Sequence, residues 1–266
     1  MSPPDLLARL TSPVVRNWRV YAHHGLAGAA LLAACVATTA AQAQTAGRVS
    51  QRRHQPLSQH SAPGVAARWA TMVNRKAAHK PQPIRVDLPD GIGQVAFFQG
   101  GTSEELPIPE QNLAVLHVGS LYRFKISDLA AHPGVELYPT IELLDKLHPP
   151  CGRENEFPVP VAFTSQEIDE AVKGRLVTKV IYVERPDHAL PARGNARDRA
   201  YLAEPNENVL ELAHRDGRPI AIVRLGGRTP DLARPEPGFY GDPAPIAVVP
   251  EVLGPRQAGD FPEVLP

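Results

Sequence analysis

From residue 84 onward, apolar and polar positions alternate in short runs separated by turn residues. Ile84, Val86 and Leu88 alternate with Arg85 and Asp87, the period of a strand with one buried face. Pro89-Asp90-Gly91 turns the chain, and residues 94–99 carry Val95, Phe97 and Phe98 before Gly100-Gly101, Pro107 and Pro109 break the run. Residues 121–126 and 135–139 alternate again, and 141–144 continue the pattern. Pro139 inside strand-like sequence predicts an edge strand or a bulge. Pro158 and Pro160 in the 157–161 run point the same way, which suits an edge or a switch between sheets. Residues 176–183 (LVTKVIYV) are the most apolar run and are expected to be central, with 219–225 (PIAIVRL) a second buried strand ended by Gly226-Gly227.

Two segments change period. Thr164-Ser165-Gln166-Glu167 is a capping box that opens a helix, Ile168, Ala171 and Val172 supply its apolar face, and Gly174 ends it. Asn208 opens a second, weaker one that runs to Gly217. Each leads into one of the two most apolar strands, as connectors crossing the end of a sandwich would. The expected class is all-β: an Ig-like, Greek-key β-sandwich with two short connecting helices, a disordered N-terminal arm and a disordered C-terminal tail.

Composition sharpens this. Pro accounts for 29 of 266 residues, which excludes a helical bundle, a coiled coil and a multi-span membrane protein. The net charge of zero hides a polarity: residues 1–86 carry eleven Lys/Arg and one acid, Asp5, whereas residues 229–266 carry two basic and six acidic residues. The predicted organisation is a signal peptide over 1–43, a basic flexible linker over 44–81, the sandwich over 82–230 and a Pro-rich acidic tail over 231–266. Within the linker, Val65, Trp69, Met72 and Val73 fall near one helical face, with Arg68, Arg75 and Lys76 elsewhere. Such a stretch could rest on anionic headgroups, but its small apolar face favours a solvated tether. In the tail, IAVV (Ile246 to Val249) is the one segment able to add to a sheet edge.

The first forty-odd residues read as an export signal. Arg9, Arg16 and Arg19 precede the apolar run GLAGAALLAACVATTAAQA, whose strongly apolar part is shorter than the ~20 residues that span a bilayer. Leu32-Ala33-Ala34-Cys35 looks like a lipobox, in which the Cys35 thiol would be lipidated and become the first residue. Ala41-Gln42-Ala43 offers an alternative cleavage after Ala43 with plain secretion. An uncleaved anchor, or no export, is a third reading. The short apolar run directly before Cys35 favours the lipobox. The protein is therefore expected to be exported and membrane-anchored through Cys35, facing the periplasm or exterior, or else secreted.

Three stretches, LYRFKISDLAAHPGVELYPTIELLD, FPVPVAFTSQEIDEAVKGRLVTKVIYVE and DGRPIAIVRLGGR, together resemble a group of exported, lipoprotein-like proteins of planctomycete-type bacteria, over roughly residues 112–230. The resemblance implies an envelope or secreted protein. That group has no assigned activity, so no functional residue is carried over.

Motifs for chemistry are mostly absent. There is no G-x-S-x-G, H-E-x-x-H, P-loop or dinucleotide fingerprint. His148 and Cys151 have H-x-x-C spacing, but a zinc site takes three or four ligands, and Cys151 reads as an inert turn residue. His117 reads as a strand histidine and His132 as part of a turn. Glu136 and Glu142 could share an outward face with Asp145, where a carboxylate pair can do acid–base work but where solvated strand faces give the same pattern. Arg224 and Arg228 read as a surface charge pair. No catalytic, cofactor or metal residue is therefore assigned. Scattered Arg residues, an acidic core and export argue against nucleic acid. Two functions stay open: a non-catalytic envelope module with a protein or polysaccharide partner, and an extracytoplasmic hydrolase whose site is not visible as a motif.

Overall fold

The computed structural model describes residues 15–21, 57–187, 200–204, 206–234, 236 and 238–252. The expected lipidation site Cys35, both expected cleavage points and Arg9 lie outside the described residues. Twelve strands are described: β1 (Val15–Tyr21), β2 (Pro81–Asp87), β3 (Gln94–Phe98), β4 (Glu105–Ile108), β5 (Asn112–His117), β6 (Leu121–Ser127), β7 (Thr140–Leu143), β8 (Val159–Ala162), β9 (Val177–Glu184), β10 (Ala200–Leu202), β11 (Gly217–Leu225) and β12 (Ala247–Pro250). Three helices accompany them: α1 (Val65–Val73), α2 (Ser165–Val172) and α3 (Val209–Asp216).

The strands form two sheets. The larger runs β10-β1-β9-β11-β7-β6-β3-β4, and the smaller runs β12-β5-β2-β8. Side chains from both meet in one core: Ile84, Leu116, Val159 and Val161 from the small sheet face Phe97, Phe124, Ile141, Ile181 and Val223 from the large one. Burying each such side chain contributes about 1.5–3 kcal/mol relative to exposure. The protein is thus mostly β and sandwich-like. Most ladders are antiparallel, but β2 pairs with β8 and β1 with β10 in parallel.

The large sheet is covered on its second face as well. Ala66 and Ala67 of α1 and Val209, Leu210 and Ala213 of α3 pack with Val180, Tyr182 and Ile222. This explains why β9 is buried at nearly every position, a pattern that alternation with solvent would not give. β9 lies between β1 and β11, as its composition predicts. The α3 helix lies over the sheet face rather than across an end of the sandwich. The α2 helix is the connector foreseen, and both halves of its capping box are formed.

Proline positions follow the ladder rule. Pro160 sits in β8, the edge strand next to β2, and Pro107 sits in β4, the edge of the large sheet, where a missing N–H costs little. The Pro-rich sequence around β4 does not break the sheet as expected, because an edge tolerates it. Residues 135–139 do not form a full strand; Leu137 makes a single bridge to Ile126.

The packed unit runs past both ends of the predicted 82–230 span. Within the expected linker, α1 folds onto the sheet, with Ala66, Ala67 and Ala77 buried. Within the expected disordered tail, Phe239 and Ala244 are buried, and β12 pairs antiparallel with β5 from Ala247↔Val115 to Pro250↔Asn112, the edge addition that IAVV allowed. The tail crosses β6 at Gly241, whose φ of +97° and approach to the Leu121 carbonyl, 2.6 Å from where a Cβ would stand, leave room for glycine alone.

β1 comes from the segment read as the basic start of the export signal. It pairs with β9 over seven residues, from Val15↔Val183 to Tyr21↔Val177. It lies upstream of both expected cleavage points, so a chain processed at either loses this strand.

Candidate functional site

Residues opposite one another across a ladder share a face. Thr178, Arg224, Thr140 and Arg123 stand opposite in turn across β9, β11, β7 and β6, and all four are buried. A polar row therefore crosses the outer face of the large sheet. At one end it lies under α1, at the other under the returning tail.

Under α1, Glu142 is fully buried and is paired with Arg224. Its second oxygen accepts from the Ala67 N–H at 3.1 Å. Arg224 also donates to the Ser61 carbonyl at 3.3 Å. The sequence expectations for these two residues are corrected here. Glu142 is not on a solvated face with Glu136 and Asp145, and Arg224 is not a surface charge, because α1 covers them. Asp145 is engaged elsewhere, with Arg218 at 2.6 Å. Arg228 stays on the surface and pairs with Glu236.

Under the tail, the Phe239 ring lies 3.9 Å from the Arg123 guanidinium carbon, and the Arg228 guanidinium approaches the same ring at 5.6 Å. Arg123 donates to the Tyr138 carbonyl at 3.1 Å, and its Nε has no acceptor among the described residues. Burial, reinforced by the charge of Arg228, lowers the Arg123 pKa to about 10. Phe98, Tyr138, Phe239 and Tyr240 form a continuous aromatic cluster with ring centroids 4.7–6.1 Å apart. The tail segment 238–242 is fixed there by Asp242, which accepts from the Leu121 N–H at 2.8 Å and donates its own N–H to the Leu121 carbonyl at 2.7 Å.

Beside this cluster a cleft of about 460 Å³ opens between the 127–138 segment and residues 229–232. Ser127, Asp128, Glu136, Tyr138, Thr229 and Leu232 line it. The Tyr138 hydroxyl donates to Glu136 at 2.5 Å. Lys125 binds Glu105 at 2.6 Å and stands 3.7 Å from Glu136. Burial and the bond to Glu136 raise the Tyr138 pKa, so the phenol keeps its proton. The hydrogen bond to Glu105 raises the Lys125 pKa. The result is a run of polar groups, Tyr138–Glu136–Lys125–Glu105, along the open rim of an aromatic cluster.

The remaining candidates stand apart. The His117 ring lies 3.2 Å from the Pro245 carbonyl at the end of β5, the satisfied strand histidine expected. His132 does more than turn the chain: its Nε2 lies 2.7 Å from Asp169 of α2. His148 sits 3.4 Å from Arg218, and Cys151 is an exposed free thiol. Among the described residues no three His, Cys, Asp or Glu side chains are grouped to hold a metal ion, and no helix is long and apolar enough to cross a membrane.

Sequence reasoning missed the aromatic cluster because half of it, Phe239 and Tyr240, lies in the segment read as disordered. The pair Phe239-Tyr240 among prolines was the available signal, since adjacent aromatics in an otherwise polar tail need a surface to cover. No protein-family model, curated protein or solved structure matches this chain.

Proposed function

We propose that this chain is a non-catalytic cell-envelope module, carried by a lipid anchor on Cys35 and binding an envelope polysaccharide at the cleft beside Tyr138. The observation that carries this reading is the Tyr138–Glu136–Lys125–Glu105 run along an aromatic rim. An apolar ring face next to fixed hydroxyl, carboxylate and ammonium groups suits a sugar, which offers both C–H faces and hydroxyls. The acids on this rim are engaged by fixed partners, an arrangement that favours holding a ligand over transferring protons. The resemblance to exported planctomycete-type proteins and the lipobox-like Leu32-Ala33-Ala34-Cys35 support the compartment. The Ig-like, Greek-key description belongs to the same proposal. The two facing sheets favour it, whereas the parallel β2–β8 pair departs from that pattern.

The test is titration of the protein with solubilised wall polysaccharide. Measured at a temperature where both variants are folded, Tyr138→Ala should weaken binding about tenfold or more and also lower the melting temperature, because its ring packs with Phe98 and Phe239, whereas Glu136→Gln should weaken binding less with the melting temperature close to wild type. Unchanged binding by Tyr138→Ala would remove the cleft from the account. Binding only to envelope proteins would replace the sugar with a protein partner, and release of new reducing ends on incubation would contradict a non-catalytic role.

A further inference from the structure

The α1 helix buries the face opposite to the one its sequence suggests. Ala66 and Ala67 pack on the sheet, while Trp69, Met72 and Val73 are 54%, 65% and 83% exposed. These three residues, spaced i, i+3 and i+4, form one outward stripe. Here the fold holds it outward, because the small residues Ala66 and Ala67 alone allow close approach to the sheet and the Ala67 N–H is fixed on buried Glu142.

The surroundings of the stripe are basic. Arg68, Arg75, Lys76 and Lys80 are all exposed, and residues 57–86 contain no Asp or Glu. None of the four is in an ion pair with a described residue, whereas Arg85, Lys125, Lys173, Arg175 and Arg218 elsewhere are paired. An exposed Trp with apolar neighbours, flanked in sequence by exposed cations that have no described acidic partner, has the chemistry of an interfacial contact: an indole and a thioether suit the headgroup boundary, and cations suit lipid phosphates.

We infer that α1 is a membrane-docking face that seats the folded domain on an anionic bilayer surface, as a second attachment beside the lipid on Cys35. This deepens the envelope reading and rests on it. Anchoring that combines a lipid chain with a basic patch is far more stable than one weak signal alone. The contact would also orient the molecule, with the α1 side of the large sheet against the lipid.

Chain processed at Cys35 loses Trp18 and retains Trp69 as its single tryptophan, so indole fluorescence reports this face directly. The anchored protein is reconstituted in phosphatidylcholine vesicles with and without phosphatidylglycerol and brominated acyl chains. With phosphatidylglycerol, Trp69 emission should shift to the blue, become quenched by brominated lipid and become shielded from aqueous iodide; added salt should reverse all three. Arg75→Glu/Lys76→Glu, at exposed positions that leave the fold intact, should lower the docked fraction about tenfold or more. If the protein proves unprocessed and unlipidated, the envelope reading fails on the mass alone. The Trp18→Phe chain with added vesicles then still measures the face. Trp69 equally open to iodide with and without anionic lipid would overturn the inference, as would shielding by a bound protein in place of lipid.

Discussion

Lys179→Met should destabilise the domain by about 3–5 kcal/mol, the cost of taking the ammonium away from a buried carboxylate. Lys179 is 1% exposed in the middle of the sandwich, and its ammonium lies 3.0 Å from Glu167, itself fully buried. The ammonium also donates to the Ala162 carbonyl and stands 4.7 Å from the Phe163 ring centroid. Methionine keeps most of the apolar stem, so lost packing is small and the loss is chiefly electrostatic. Glu167 also accepts from the Thr164 N–H at 2.8 Å, while the Thr164 hydroxyl accepts from the Glu167 N–H at 3.3 Å. One carboxylate therefore caps α2 and neutralises β9. Thr164→Ala removes the hydroxyl's cap bond and its donation to the Glu167 carboxylate at 3.2 Å but leaves the Lys179 pair, and should cost about 0.5–2 kcal/mol. The double variant Glu167→Gln/Lys179→Met should be clearly less destabilised than the sum of the singles, since the buried charges leave together. Urea midpoints of Lys179→Met, Glu167→Gln, their double variant and Thr164→Ala decide it. A Lys179→Met loss no larger than that of Thr164→Ala would show that the pair carries little.

Glu142→Ala should cost a similar amount, about 3–5 kcal/mol, but with a local signature. It leaves Arg224 buried without its carboxylate and the Ala67 N–H without its acceptor. Those contacts hold α1 to the sheet, so the 57–80 segment should lose amide protection and become open to protease before the core does. Hydrogen exchange followed by peptide should show α1 amides exchanging at least tenfold faster, with β9 and β11 the last to lose protection. Uniform loss of protection across the sheet would mean that Glu142 supports the whole domain rather than the docking of α1. Vesicle binding through Trp69 should fall in the same variant, because an undocked helix no longer presents its stripe.

These two sites show what the sequence could and could not reveal. Alternation placed the faces of β2 and β6 correctly, the continuous apolar runs marked β9 and β11 as buried, and Pro158 and Pro160 allowed the edge position that β8 takes. The Thr164–Glu167 box was legible because its reciprocal bonds are local, three residues apart. Glu142 was misread for a physical reason: period two assigns a residue to a face but does not reveal what covers that face. The cover, α1, starts at Gly64 with no side-chain cap and no acid in its first turn, so no start signal announced it. It buries alanines while exposing its larger apolar residues, the reverse of the usual amphipathic rule. Likewise the acidic, Pro-broken tail looked unable to offset its chain entropy. It folds because Phe239 and Tyr240 find an aromatic surface already built by Phe98 and Tyr138, a long-range match that no local pattern encodes.

Compartment and attachment underlie both the proposed function and the membrane-facing helix, and one mass settles them. Intact-mass analysis of the protein extracted from its own membranes should give a chain beginning at Cys35 with a diacylglycerol adduct on its thiol. Such a chain lacks β1, leaving β9 and β10 without the neighbour they share. A mature chain beginning at Gln44 with no lipid mass would contradict the anchor. A chain that keeps residues 1–34 would contradict processing altogether and make the Val15–Tyr21 strand a permanent part of the sheet.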